Sequence, residues 1–177
     1  MKTAITLALL SLSTAALADD AAVTATAPAP KTVAVDALGI VPIGDYGEVA
    51  TLGVGVSARL EVPMDRGFVT GRLGGIFHAM DDRVGDASWM LFPIYAGYRY
   101  PVHANGAYVA GELGLTYSRV SMETAFGKMS DSTTEVGLAL TAGMRRGALD
   151  VRGGLFAPSI DDAWGLILSA GYDFASF

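Results

Sequence analysis

The chain comprises 177 residues with a formal charge of −6, 22 glycines and no cysteine. Its acidity argues against a nucleic-acid partner, and the lack of cysteine excludes disulfides, thiol metal sites and a lipid anchor on an N-terminal cysteine. Hydrophobic residues make up 51% of the chain, yet past the N-terminal segment no apolar stretch approaches the ~20 residues of a membrane-spanning helix, so that apolar content must lie in short elements.

The first residues form a targeting pattern. Lys2 supplies a positive n-region, Ala4 to Leu12 a short apolar h-region, and Ala16-Leu17-Ala18 the small-x-small form cut by signal peptidase. Residues 1–18 are therefore expected to be a signal peptide cleaved after Ala18, leaving about 159 residues, enough for one domain. Asp19 to Thr32, DDAAVTATAPAPKT, lacks periodicity and is expected to be a disordered periplasmic leader ahead of a domain over residues 33–177.

From Val33 onward the chain divides into about eight alternating segments. The first, Val33 to Pro42, is irregular: Asp36 shares its phase with Leu38 and Ile40, which predicts a bulge or an off-register start. The second is the clearest. Across Thr51 to Val62, Leu52, Val54, Val56, Ala58, Leu60 and Val62 fall on one face, and Thr51, Gly53, Gly55, Ser57, Arg59 and Glu61 on the other.

The third segment sets Val69, Leu73 and Phe77 against Thr70, Arg72 and His78, and the fourth carries Met90, Phe92, Ile94, Ala96, Tyr98 and Tyr100 on its apolar face. Pro93 lies inside that fourth segment, where a missing N–H predicts a local bulge or an unpaired carbonyl. The fifth opposes Val109, Leu113, Leu115 and Tyr117 to Tyr108, Glu112 and Thr116. In the sixth, Val136, Leu138, Leu140, Ala142 and Met144 oppose Glu135, Thr141 and Arg145. The seventh sets Leu149, Val151 and Leu155 against Asp150 and Arg152, and the eighth runs Trp164, Leu166, Leu168, Ala170, Tyr172 and Phe174 against Ser169 and Asp173.

Tight connections at Met64 to Arg66, Val102 to Gly106 and Arg146-Gly147 alternate with longer ones at Gly44 to Ala50, Met80 to Ser88, Arg119 to Ser132 and Pro158 to Ala163. Short periplasmic turns alternating with longer outer loops is the layout of an even-stranded membrane barrel. A soluble lipocalin-like barrel would invert the same alternation, with its apolar face inside. Three features favour the apolar face outward. Past the signal segment only Lys31 and Lys128 are lysines, too few for a water-facing surface. The polar face is mostly Gly, Ser, Thr and Ala, as suits a narrow lumen. Tyr98, Tyr100, Tyr117, Trp164, Tyr172 and Phe174 lie towards segment ends, as an aromatic girdle does.

Two stretches carry a family resemblance. Gly39-Ile40-Val41-Pro42-Ile43-Gly44-Asp45-Tyr46 resembles the passage from first strand to outer loop, and Ser169 to Phe177 the last strand, of the small eight-stranded outer-membrane barrels that include the OmpA transmembrane domain, OmpX and opacity-type proteins. The resemblance implies an all-β, eight-stranded antiparallel up-and-down transmembrane barrel in the outer membrane. It further implies outer-membrane lipid and lipopolysaccharide as surroundings, a terminal aromatic read by the barrel-assembly machinery, and no cofactor. A monomer is expected. Phe177 is terminal but out of phase with Trp164 to Phe174, so Phe174 is the alternative assembly signal and the last residues a short overhang.

In such a barrel Arg59, Arg72, Arg99, Arg145 and Arg152 would meet Glu61, Glu112, Glu135, Asp150 and Asp173 inside, as an electrostatic plug or as an ion-lined pore. The plug is favoured because an eight-stranded lumen is about filled by its own side chains. A hydrolytic set of His78 with Ser88 and Asp81 or Asp86 is the candidate enzyme site, whereas an ordinary lumen or rim histidine is the simpler account. His103 falls in a tight turn. Asp45, Glu48, Asp81, Asp82, Asp86, Glu123, Asp131, Asp161 and Asp162 make the longer loops acidic against Arg83, Arg119 and Lys128, without the ligand spacing of a dedicated calcium site. The expected function is a non-enzymatic barrel with a structural, envelope-stabilising or surface-interaction role. A narrow small-solute channel is the alternative, and a lipid A-modifying enzyme a more distant one.

Overall fold

The computed structural model describes residues 30–80, 87–124 and 127–177; the signal peptide and residues 19–29 of the leader lie outside the described residues. Eight strands account for nearly all of it: β1 (Thr32–Ile43), β2 (Ala50–Met64), β3 (Gly67–Met80), β4 (Ala87–Pro101), β5 (Ala107–Thr124), β6 (Gly127–Arg146), β7 (Leu149–Ser159) and β8 (Ala163–Ser176). A short helix, α1 (Asp45–Val49), joins β1 to β2. Each strand pairs antiparallel with its neighbour in sequence, and β1 pairs with β8 to close the barrel. Closure leaves no free edge in the barrel wall, which is what lets a sheet lie in hydrocarbon without orphaned backbone groups. All eight strands reach the ~9–11 tilted residues needed to cross a bilayer.

The apolar face points outward. Leu52, Val54, Val56 and Leu60 of β2 are exposed on the outer surface, while Ser57, Arg59 and Glu61 of the same strand are buried inside. The barrel has two unlike ends. Two-residue turns close β2–β3 and β6–β7, with positive φ at Asp65 and Gly147, as tight hairpins require. Residues 102–106 link β4 to β5 at this same turn end. The loop end carries α1 and the other connections.

Two expectations are corrected and two are borne out in part. The long loop foreseen over Arg119 to Ser132 is mostly strand: β5 and β6 stay in register from Arg119↔Ser132 through Thr124↔Gly127. Strand alternation continues there above the apolar belt, with Arg119 exposed and Val120 half-buried. At Pro93 the bulge alternative fails, because the register does not shift, but the expected break in pairing is present. The β3–β4 ladder skips Gly74-Gly75 opposite Phe92-Pro93, resuming at Ile76↔Leu91 in the register left at Leu73↔Ile94. The irregular start expected for β1 is found at Val33/Ala34, where its pairing with β8 shifts; Asp36, Leu38 and Ile40 are all buried on the inner face, so no shift falls between them.

The second correction concerns the chain end. The irregularity of the β1–β8 pair lies at Val33/Ala34, where Val33 pairs Ala175 but Ala34 pairs Asp173. The extra residue is Phe174. This bulge reverses the alternation, so Phe174 and Phe177 are both outward and exposed. Phe177 is no overhang, because its backbone exchanges hydrogen bonds with Lys31 at 2.9 and 3.0 Å.

A closed barrel of this kind resists detergent at room temperature. Unboiled protein should therefore migrate faster on a gel than boiled protein; a single unshifted band would contradict the closed sheet.

Candidate functional site: the barrel lumen

The inner face divides into two layers. Towards the turn end the chain places arginines and carboxylates; towards the loop end it places aliphatic and aromatic groups. Strand alternation forces each of these side chains inward, and eight strands leave little space for water between them.

Arg59 is the hub of the charged layer. Its guanidinium lies 3.1 Å from Asp36, 3.1 Å from Asp150 and 3.7 Å from Asp173, and it also bonds Glu61. Arg152 reaches Asp36 at 3.0 Å and Glu112 at 3.6 Å, and Arg72 meets Glu112 at 3.1 Å. Arg99 and Arg145 converge on Glu61 at 3.0 and 2.8 Å, and Arg145 also contacts Asp150 and Asp173, each at 3.3 Å. Tyr108 donates its hydroxyl to Asp150, and the Arg99 guanidinium stacks 4.2 Å from the Phe68 ring centre. Five arginines thus face five carboxylates, so no net charge is left buried. Below them the turn-end mouth opens as a cavity of about 370 Å³ between Thr32, Phe68, Arg145 and Asp173.

Nine of the ten foreseen network residues come together here. Glu135 does not: it is half-buried near the loop end, opposite Thr116 in the ladder, with no ion pair among the described residues. Asp36 takes the fifth acidic place. Its inward phase in the sequence was the available signal, obscured because Leu38 and Ile40 share that phase.

The upper layer is apolar. Leu38, Ile40, Ile76, Leu91, Tyr95, Phe156 and Ile167 pack inside the barrel with Tyr46 of α1. Tyr46 is only 2% exposed although it belongs to a connection. Its hydroxyl lies 2.7 Å from His78 Nε2, and its ring packs edge-on to Trp89 with centres 5.2 Å apart. His78 Nδ1 lies 3.0 Å from the Thr51 carbonyl. A carbonyl only accepts, so Nδ1 holds the proton and the neutral ring's Nε2 accepts from Tyr46. Burial also raises the Tyr46 phenol above its ordinary range, keeping it a donor. Helix α1 is thereby pinned over the mouth.

Both nitrogens of His78 are occupied, which leaves no lone pair for a base. Ser88 is paired in the ladder with Ala79 rather than placed against the imidazole, and Asp81, Asp82, Arg83 and Asp86 lie outside the described residues. Gly53 makes room for the imidazole, since a Cβ there would come within 2.2 Å of it. Gly171 does the same for Asp36. Large inward groups therefore sit opposite glycines, and several of the 22 glycines find their reason in this.

On the outer surface Tyr98, Tyr100, Tyr172 and Phe174 are exposed near the turn end; Tyr117 is exposed and Trp164 half-buried towards the loop end. Between them runs an exposed belt of Leu, Val, Ile and Met.

An apolar exterior around a charged and plugged interior defines a small transmembrane barrel, and the fold is that of the eight-stranded outer-membrane barrels. Neither a family model nor a curated protein sequence matches the chain. Among solved structures it is similar to Ail, the attachment invasion locus protein of Yersinia pestis, at 13% identity and a TM-score of 0.64, covering 84% of this chain and 100% of that one. It is also similar to Ail bound to the heparin analogue sucrose octasulfate, at 15% identity, a TM-score of 0.60 and coverage of 84% and 100%. The N-terminal β-barrel domain of Pseudomonas aeruginosa OprF matches at 14% identity and a TM-score of 0.61, with 81% and 97% covered. At such identities the likeness is one of fold.

Removing the hub cation would leave Asp36, Glu61, Asp150 and Asp173 one buried cation short, with only Arg152, Arg99 and Arg145 to share among them. Arg59→Met is expected to destabilise the barrel by about 3–5 kcal/mol, read as a lowered urea midpoint in micelles. Tyr46→Phe should cost only about 1 kcal/mol, the worth of one hydrogen bond. A hub substitution no more costly than Tyr46→Phe would show that the network carries no structural weight.

Proposed function

We propose that this chain is a non-enzymatic outer-membrane protein with a structural or surface-interaction role, its lumen sealed and its working surface at the loop end. The observation that carries this is the two-layer filling of the lumen. An ion passing through would have to separate the Arg59 pairs and then cross a layer of Leu, Ile, Tyr and Phe side chains under Tyr46. Both steps are costly for a charge. The fold likeness to an attachment invasion protein supports a role at the surface, as does an orientation with α1 and the extended β5–β6 hairpin outward.

The loop end is acidic. Asp45 and Glu48 of α1, Asp131 of β6, and Asp161 and Asp162 between β7 and β8 are all exposed. Polyanions such as the sulfated sugar bound by Ail are therefore unfavourable ligands, and cationic or divalent-bridged partners favourable ones.

A narrow channel is the second reading, supported by the charged lower layer. Planar-bilayer recording separates the two: the sealed lumen predicts no steady conductance, and reproducible single-channel steps from purified protein would overturn it. Catalysis on lipid A is tested by mass spectra of lipid A from expressing cells. We expect no change, and a modification abolished by His78→Ala would reverse the non-enzymatic assignment.

A further inference from the structure

The lipid-facing wall is not uniform. Where the β3–β4 ladder is interrupted at Gly74-Gly75 opposite Phe92-Pro93, the outer surface holds an apolar groove of about 440 Å³. Val54, Val56, Gly75, Phe77, Met90 and Phe92 line it. Its floor is set by Gly75, the residue between outward-facing Leu73 and Phe77, which presents no side chain of its own.

The groove reaches towards the loop end through Met90, whose ladder partner is Arg119 on β5. Phe92 is likewise paired with Tyr117, the two rings lying 6.1 Å apart. Arg119 is exposed on the same outward face as Tyr117, with no ion-pair or hydrogen-bond partner among the described residues. The acidic groups of α1 and of the β7–β8 connection lie around β1 and β8. In the closed ring β5 is four strands from β1 either way. Among the described residues Arg119 thus has no counter-ion in contact just above the apolar belt; Asp131, the acid nearest to it in the ladder, pairs Val120 and shares that residue's phase rather than that of Arg119.

We infer that the Gly75 groove and Arg119 together form a site for one phosphorylated, acylated glycolipid of the lipid A type, with an acyl chain in the groove and a phosphate on the guanidinium. The groove lies at hydrocarbon depth, where its occupant is an acyl chain, and a guanidinium at the interface pairs with phosphate by charge and geometry. Lipid A is the source because the site opens to the loop end, which faces the glycolipid leaflet. This rests on the outer-membrane placement proposed above.

The test uses the full mature barrel in neutral detergent micelles. It is titrated with bisphosphorylated lipid A, with dephosphorylated lipid A and with phosphatidylglycerol, and retained lipid is counted by native mass spectrometry. Wild type should hold phosphorylated lipid A best. Arg119→Gln should weaken that lipid about fivefold, the worth of one cation at an anionic lipid surface, and leave dephosphorylated lipid A unchanged. Gly75→Leu should fill the groove and weaken both lipid A forms. That variant should fold, since a Cβ at Gly75 meets only Phe92, at 3.8 Å, an ordinary contact. Equal retention by all three proteins, or phosphatidylglycerol held as tightly as lipid A, would overturn the site. Heat-modifiable migration from the outer-membrane fraction is measured alongside. Its loss in wild type defeats the membrane placement itself, whereas its persistence with indifferent lipid binding defeats only the glycolipid site.

Discussion

Closing eight strands on themselves creates an interior too narrow for water yet lined by every second residue of each strand, and the rest of the structure answers that constraint. Each inward group has to be matched by a partner or by empty volume opposite. Arg59 is matched by Asp36, Glu61 and Asp150; Asp36 and His78 are accommodated by the missing side chains of Gly171 and Gly53. The charges are buried, so their pairing is obligatory, and a single removal unbalances a network whose remaining members must share fewer counter-ions.

The same closure explains why the interior has two layers rather than one. Arginine side chains are long enough to reach across the lumen from β2, β3, β4, β6 and β7 and meet carboxylates from β1, β2, β5, β7 and β8. Nearer the loop end the strands present Ile, Leu and aromatic residues, and α1 folds inward so that Tyr46 caps them. The sealed lumen proposed above would turn function outward, to the loops and to the lipid around the barrel. The exposed carboxylates of α1 and the β7–β8 connection and the exposed Arg119 of β5 give those two surfaces different chemistry.

Much of this was legible in the strands. The alternation in β2 assigned Arg59 and Glu61 to the lumen, and the scarcity of lysine assigned the apolar face to the membrane. Asp36 was the instructive failure. It was visible as an inward charge but set aside, because inward Leu38 and Ile40 looked like an error of phase; a lumen apolar in its upper half makes all three consistent. Arg119 to Ser132 failed differently, since polar alternation without an apolar face carries no burial signal, and only pairing between β5 and β6 makes it strand.

What the sequence by itself determined is the all-β class, the eight segments and their sidedness, because a period of two and a face of Leu and Val residues are local properties. What tertiary structure alone decided is which charges meet, that Tyr46 leaves its connection to bond His78, and that a bulge at Phe174 returns Phe177 to the outer face. Those outcomes depend on the relative heights of strands around a closed ring. That stagger is set by all eight pairings together and cannot be read from any one segment.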